Sequence, residues 1–358
     1  MVNKKESLDK NLKIFNKEDV MQHVSPEDCW VTVRGGVYNV TKFLKNHPGG
    51  PDLILTKAGS DVTNILTNNS IHQHSLNAYN LLEQYKIGCV DEQDEEYSQM
   101  SSMEGWNENL VDWNKGMVFQ VYKLGHNYLK WVHSPVNKKL KLFDSEFVEF
   151  FSKTPWYVIP LVWIPIIIIV SMLSINEMHE SISNKFKFEN IYVYKSLALA
   201  CFCFSFSVGL PLWTLIEYML HRYLFHLEPK GPSFFWITMH FFFHGQHHKV
   251  PFDEMRLVFP PACASVFAFL LNYLLVSVLP HGIGRAVFAG GMLGYVIYDL
   301  THYYLHHGSP ARGSWFHSLK YYHVLHHFDD HSTGFGISTK LWDYPFSTVN
   351  KKFLEKSN

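Results

Sequence analysis

Residues 193–226, VYKSLALACFCFSFSVGLPLWTLIEYMLHRYLFH, hold the two features that decide how this chain folds. An apolar run long enough to cross a hydrocarbon core about 30 Å thick ends in a pair of histidines, His221 and His226. Up to Leu220, only Lys195 near its start and Glu217 near its end are charged. An uncharged run, PWYVIPLVWIPIIIIVSML, precedes it at 155–173. Two more follow, from about Val258 to Leu279 and from about Ile283 to Leu305, the latter carrying Arg285 at its start and Asp299 near its end. The link PHGIG makes that pair a hairpin. Four such runs are hard to bury in so short a chain, so four transmembrane helices are expected. Four crossings return the chain to its starting side. The N-terminal part, the 221–258 segment and the tail after 305 then share one face, read as cytosolic. The flank with Glu177, Glu180 and Glu189 beside Lys185 and Lys187 supports that orientation only weakly.

The chain has 358 residues, room for two domains. Its net charge of -1 gives no concentrated basic face, so nucleic acid is excluded as a partner. The mean hydropathy of -0.07 averages a polar first 150 residues with an apolar remainder. Five cysteines form no CxxC pair, which suggests neither a disulfide framework nor a thiolate metal site. The start, MVNKKESLDKNLKIF, has no apolar core of a secretory signal, so it should stay in the cytosol. Histidine is the outlier: 22 in all, 15 of them between His221 and His331.

The N-terminal residues alternate short strands, such as WVTVRGGVYNV with its glycine pair for a tight turn, with short helical patterns. The acidic run DEQDEEYSQMSSMEG at 91–105 reads as a solvated linker. Within DCWVTVRGGVYNVTKFLKNHPGGPDLILTKAGSDVT, His47 opens an HPGG turn, and His72 and His74 follow about 25 residues later. This stretch resembles the cytochrome b5 family over about residues 14–90. The resemblance implies haem b held by His47 and by His74, whose sequence His-Ser-x-x-Ala (His74, Ser75, Ala78) fits the family and which His72 does not match. Ligation by two histidines leaves no open position, so this haem would pass single electrons rather than bind oxygen.

Four histidine clusters sit at the ends of the spans: HRYLFH (His221, His226), HGQHH (His244, His247, His248), HYYLH (His302, His306) and HVLHH (His323, His326, His327). Residues three or four apart on a helix point the same way, so these ten imidazoles can surround two metal ions. Imidazole suits zinc, copper, iron and nickel alike. A one-electron haem beside a closed-shell metal would have nothing to reduce. A pair of irons is therefore expected for activity, with zinc able to occupy the same ligands in purified samples. No ExxH pattern of carboxylate di-iron bundles is present. His281, His317 and His331 read as ordinary histidines, and His240 and His307 as neighbours of the clusters outside the ligand sets. Tyr298 and Asp299 precede His302 by one turn. An acid in an apolar span is costly, and Asp299 is expected to accept the N–H of a ligand imidazole and fix its tautomer.

From about residue 145 to 350, the boxes HRYLFH, HGQHH, YDLTHYYLHH and KYYHVLHHFDD, followed by GFGISTKLWD, resemble the fatty acid hydroxylase superfamily, and the fused haem module makes the fatty acid 2-hydroxylases the most similar branch. The resemblance implies a small α+β cytochrome b5-like domain (10–92), an acidic linker and amphipathic connection (93–145), and an all-α integral membrane domain (146–350). That last domain would carry four transmembrane helices and a cytosolic histidine-rich dimetal cap. It implies O₂-dependent 2-hydroxylation of a long-chain fatty acid, free or within ceramide, at the endoplasmic reticulum membrane. Electrons would come from NAD(P)H through a separate reductase, since the chain has no dinucleotide fingerprint. The aromatic run SFFWITMHFFF would help sort the acyl tail from water. The rivals are a b5-fused desaturase, a sterol oxidase, and a haem electron carrier or metal transporter with histidine-rich loops. Desaturases of that kind usually have three boxes, the last often opened by glutamine, where this chain has four and His323. The haem module argues against a sterol oxidase, and a transporter would place its ligands nearer mid-membrane.

Overall fold

The computed structural model describes residues 13–67, 74–90, 108–186, 191–280 and 282–357. The acidic run at 91–105, His72, Glu189 with Lys187, and His281 lie outside the described residues.

Residues 13–90 are organised by a five-stranded sheet in the order β1-β5-β4-β3-β2. β1 (Lys13–Phe15) runs parallel to β5 (Lys86–Val90), while β4 (Gly36–Asn39), β3 (Asp28–Val33) and β2 (Val24–Ser25) pair antiparallel. The β3–β4 turn places Arg34 and Gly35 at φ 49° and 74°, the two left-handed positions a tight hairpin needs, so the turn sits one residue before the glycine pair. Cys29, Val31, Tyr38, Val40 and Leu44 close a core beneath the short helices Pro51–Leu55, Thr63–Thr67 and Leu76–Glu83.

Beyond the module the chain is helical. Among the described residues, three helices are long and apolar enough to cross a membrane: Val158–Lys185, Ile191–Phe225 and Glu254–Val278. Their outward side chains, including Leu161, Ile169, Phe204 and Phe269, are exposed, the pattern of faces that meet lipid. The fourth expected span is not among these three. Ile283–His307 matches the others in length, but Arg285, Asp299 and three histidines lower its hydropathy, and most of its residues are buried by its neighbours. It is the central helix, packed on Val158–Lys185, Ile191–Leu220 and Pro261–Val278. Its Arg285 pairs with Glu177 of the first long helix.

Glycines let this central helix approach the second so closely. A Cβ on Gly290 would lie 2.0 Å from the Phe206 carbonyl oxygen, and one on Gly209 2.2 Å from that of Val287. Small residues at a crossing are how helices gain packing where lipid gives no hydrophobic drive. Trp163, Trp213, Phe288, Met292 and Tyr295 fill the space between the helices.

The described part of the amphipathic connection is a packed layer. Met117, Val121, Leu124, Tyr128, Trp131, Val132 and Leu142 are buried against Ile237, Phe241 and Val250. Gly290→Ala should therefore lower stability by about 1–3 kcal/mol through overpacking. Gly291→Ala, whose Cβ would meet its nearest neighbour at 3.7 Å, should be close to neutral. Thermal unfolding midpoints in detergent check the contrast.

Candidate metal centre

The histidine boxes meet at one end of the helices and sort into two sets. In the first, His247, His302, His306, His323 and His327 present ring nitrogens that all lie within 4.8 Å of one another; His221, His226, His244 and His326 do the same in the second. His248 joins the second set, with its Nε2 3.1 Å from that of His244 and 3.2 Å from that of His226. Other Nε2 pairs stand 2.9–3.1 Å apart: His306 with His323, His302 with His247, and His221 with His244. The sets adjoin, the ring of His248 stacking on that of His327 at 4.3 Å.

Two local devices build this. Each HxxHH box serves both sets: the i,i+4 pair His244/His248 enters the second and His247 the first, while the pair His323/His327 enters the first and His326 the second. His221 and His226 are five apart, which on an α-helix would separate them by about 140° around the axis. Residues His221–Phe225 instead form a π turn, closed by the His226 N–H donating to the His221 carbonyl at 3.0 Å, which brings both rings to one set. A second π turn, Phe241–Gly245, carries His244.

Backbone carbonyls fix three ligand tautomers. The Nδ1–H of His221 donates to Phe335 O at 2.6 Å, that of His326 to Thr333 O at 2.7 Å, and that of His302 to Leu257 O at 3.0 Å. Their Nε2 atoms are then bare lone pairs aimed at the other ligands. Burial first, then repulsion from neighbouring imidazoles, holds His244, His247, His248, His323 and His327 well below the ordinary histidine value, so they are neutral. Neutral, inward lone pairs packed at about 3 Å are stable around a cation that binds nitrogen at about 2.0–2.1 Å. The residues present fit two metal ions.

Asp299 takes a different partner from the imidazole expected. Its carboxylate accepts the Phe259 N–H at 3.1 and 3.2 Å, which pins the turn whose Leu257 carbonyl orients His302. Tyr298 stacks on His302 with the rings 6.1 Å apart and 3° from parallel. Two further acids work in the same indirect way. Glu217 accepts the N–H groups of Ile337 and Ser338, each at 2.8 Å, and Asp343 those of Phe335 at 3.0 Å and Gly336 at 2.9 Å. Together they hold the loop whose Phe335 carbonyl orients His221. The signal for Glu217 was present, an acid in an apolar run; nothing in the sequence marked Asp343.

Among the described residues, the remaining histidines stay outside both sets. His240 bonds to the Tyr128 hydroxyl at 2.6 Å, and His331 stacks on His133 at 3.6 Å. His307 and His317 join neither set. An apolar cavity of about 220 Å³ reaches His244, His247 and His302 between Phe225, Phe242, Phe243, Phe259 and Cys263, with Tyr298 and Asp299 in its wall. In the N-terminal module the His47 Nδ1–H donates to Gly50 O at 2.8 Å, which places the ring's lone pair on Nε2. Gly50, at φ +88°, makes that turn possible, and a side chain on Gly49 would press on the His47 ring. His74 immediately precedes Ser75, whose hydroxyl caps the helix Leu76–Glu83 by accepting the Ala78 N–H at 3.3 Å.

Two family models match the chain: a cytochrome b5-like heme/steroid binding domain over residues 16–91 and a fatty acid hydroxylase over residues 206–348. A fatty acid 2-hydroxylase of Macaca fascicularis is 40% identical over 94% of this chain and 95% of its own length. A ceramide very long chain fatty acid hydroxylase of Saccharomyces cerevisiae is 31% identical, covering 95% of each chain. A solved structure of full-length scs7p, with only its hydroxylase domain visible, superposes with a TM-score of 0.55 at 30% identity, over 68% of this chain and 87% of that one.

The geometry separates ligands from neighbours in a way elemental analysis can read. His244→Ala should lose about half of the bound metal. His240→Ala should keep it, and should lose about 1 kcal/mol of stability from the broken bond to Tyr128.

Proposed function

The chain belongs to the fatty acid 2-hydroxylase family, and from that premise we infer that it is an enzyme that hydroxylates carbon 2 of long-chain fatty acyl groups for sphingolipid synthesis. The observation that carries this reading is the apolar cavity ending on His244, His247 and His302, ligands drawn from both histidine sets. An acyl chain entering from lipid keeps its tail among Phe225, Phe242, Phe243 and Phe259 while its head region lies beside the metal site. The acyl group is taken as the free acid or within ceramide.

The two histidine sets would hold a pair of irons, which zinc can replace in purified protein, and such a pair supplies activation of O₂ for insertion of one oxygen atom into a C–H bond. The protein's own residues do the rest. Leu257, Thr333 and Phe335 orient three imidazoles through their carbonyls. Glu217, Asp299 and Asp343 hold the Leu257 and Phe335 carbonyls in place, and Tyr298 fixes the plane of His302. The apolar wall keeps water from the acyl chain.

Residues 10–92 act as the electron donor, with His47 and His74 on the haem; residues 93–145 connect it, and 146–350 form the catalytic domain. A separate NAD(P)H-dependent reductase feeds the haem, and both cofactors face the cytosol from the endoplasmic reticulum membrane. The fused module and the four boxes favour this over a desaturase or sterol oxidase.

Expression in cells that lack 2-hydroxy sphingolipids, followed by lipid mass spectrometry, tests the reading. The wild type should restore 2-hydroxy acyl chains, and His326→Ala and His47→Ala should not. New double bonds or altered sterols without 2-hydroxy acyl chains would sink it.

A further inference from the structure

The haem module touches the rest of the chain on a face that includes its first haem-ligand segment. Asn77 Nδ2 donates to the Phe328 carbonyl at 3.3 Å, and Gln84 Nε2 to the Pro135 carbonyl at 3.3 Å. Asn137 answers from the catalytic side, its N–H donating to Gln84 Oε1 at 3.1 Å and its Nδ2 to the Tyr85 hydroxyl at 2.6 Å. The apolar member of the contact is Phe43, set edge-on to Phe252 with ring centroids 6.1 Å apart.

These rings form an unbroken series between the two cofactor sites. Phe43 lies 5.9 Å from the ring of His47. Phe252 stacks on Phe328 at 6.0 Å, and Phe328 lies 6.2 Å from the ring of His327, a member of the first metal set. Every step is within the separation of directly packed rings.

We propose that this face is the working dock of the haem module on its own metal centre, with Phe43, Phe252 and Phe328 as positioning residues that fill the space between His47 and His327. The inference rests on the function argued above. Because the module is tethered to its target, docking is an intramolecular event at high effective concentration, so a small face with four polar contacts and one aromatic seam is sufficient. Packed rings exclude water from the gap and fix the approach of the two sites, which transfer of single electrons requires. The stoichiometry closes over one turnover. Two successive one-electron oxidations of ferrous haem, with two protons, reduce one atom of O₂ to water while the other atom enters the C–H bond, and the reductase restores the haem each time.

The test uses the full-length enzyme in detergent, loaded with haem and metal, with a long-chain fatty acid as substrate. Stopped-flow absorbance follows reoxidation of pre-reduced haem on mixing with O₂, above the background of a His323→Ala variant. Phe252→Ala and Phe43→Ala should slow reoxidation at least tenfold, and Phe252→Tyr should restore it. Haem reduction by the reductase, the haem spectrum and the metal content should match the wild type throughout. Unchanged reoxidation in both alanine variants overturns the proposal, as does slowing that comes with lost metal or an altered haem spectrum. A wild type that reoxidises its haem but forms no 2-hydroxy product refutes the functional reading instead, and the dock is then judged on the reoxidation rates alone.

Discussion

Ten imidazoles brought together with nitrogens about 3 Å apart form an arrangement that a protein alone does not favour. Hydrogen bonding could relieve a few such contacts, but His221, His302 and His326 have committed their Nδ1 protons to backbone carbonyls and can offer only lone pairs inward. Protonation would relieve repulsion between lone pairs by creating buried like charges, which burial opposes more strongly. Metal ions satisfy all ten at once. The packing around the boxes therefore belongs to a state completed by metal, and metal binding contributes directly to the stability of that end of the molecule.

The exchange of ligands between the sets gives the two sites a shared frame. Each HxxHH box spans both, contributing an i,i+4 pair to one and the intervening histidine to the other, and each set is completed by a pair from the end of a long helix: His221/His226 for one and His302/His306 for the other. The arrangement is approximately two-fold. A rotation of either box helix, Gln246–Lys249 or Trp315–Phe328, would displace histidines of both sets together, so the separation of the two sets is fixed by helix geometry rather than by flexible side chains. The small-residue crossing of Gly209 and Gly290 serves the same end, because it fixes how the helices bearing His221 and His302 lie against one another.

Much of this was legible in the sequence. Three spans, the ten clustered histidines and the HPGG turn follow from hydropathy and spacing, since both act over one or two helical turns. Four things were not. The spacing of His221 and His226 does not fit an α-helix, and only the π turn shows how both reach one metal. The run 283–305 has the length of a span, yet whether a helix faces lipid or its own neighbours depends on tertiary packing that a single run does not encode. Leu257, Thr333 and Phe335 act through main-chain carbonyls, for which no residue type is a marker. The layer around Tyr128 and Trp131 was read as a connection because its apolar residues are spread over irregular turns rather than set at a helical period.

The acids explain how a nitrogen-only site can hold two cations. Five neutral donors in each set leave the full charge of the metals uncompensated by their direct ligands. Glu217, Asp299 and Asp343 are buried close by, each one loop away, accepting backbone N–H groups rather than binding metal. Isolated ionised carboxylates would be expensive there. With metal ions bound, the nearby positive charge would favour the ionised forms. The chain would thereby place compensating charge next to bound cations without occupying a coordination position, and the same carboxylates hold the carbonyls that orient His221 and His302. Charge balance and ligand orientation are two consequences of one placement, which accounts for acids at buried positions where each would otherwise be a liability.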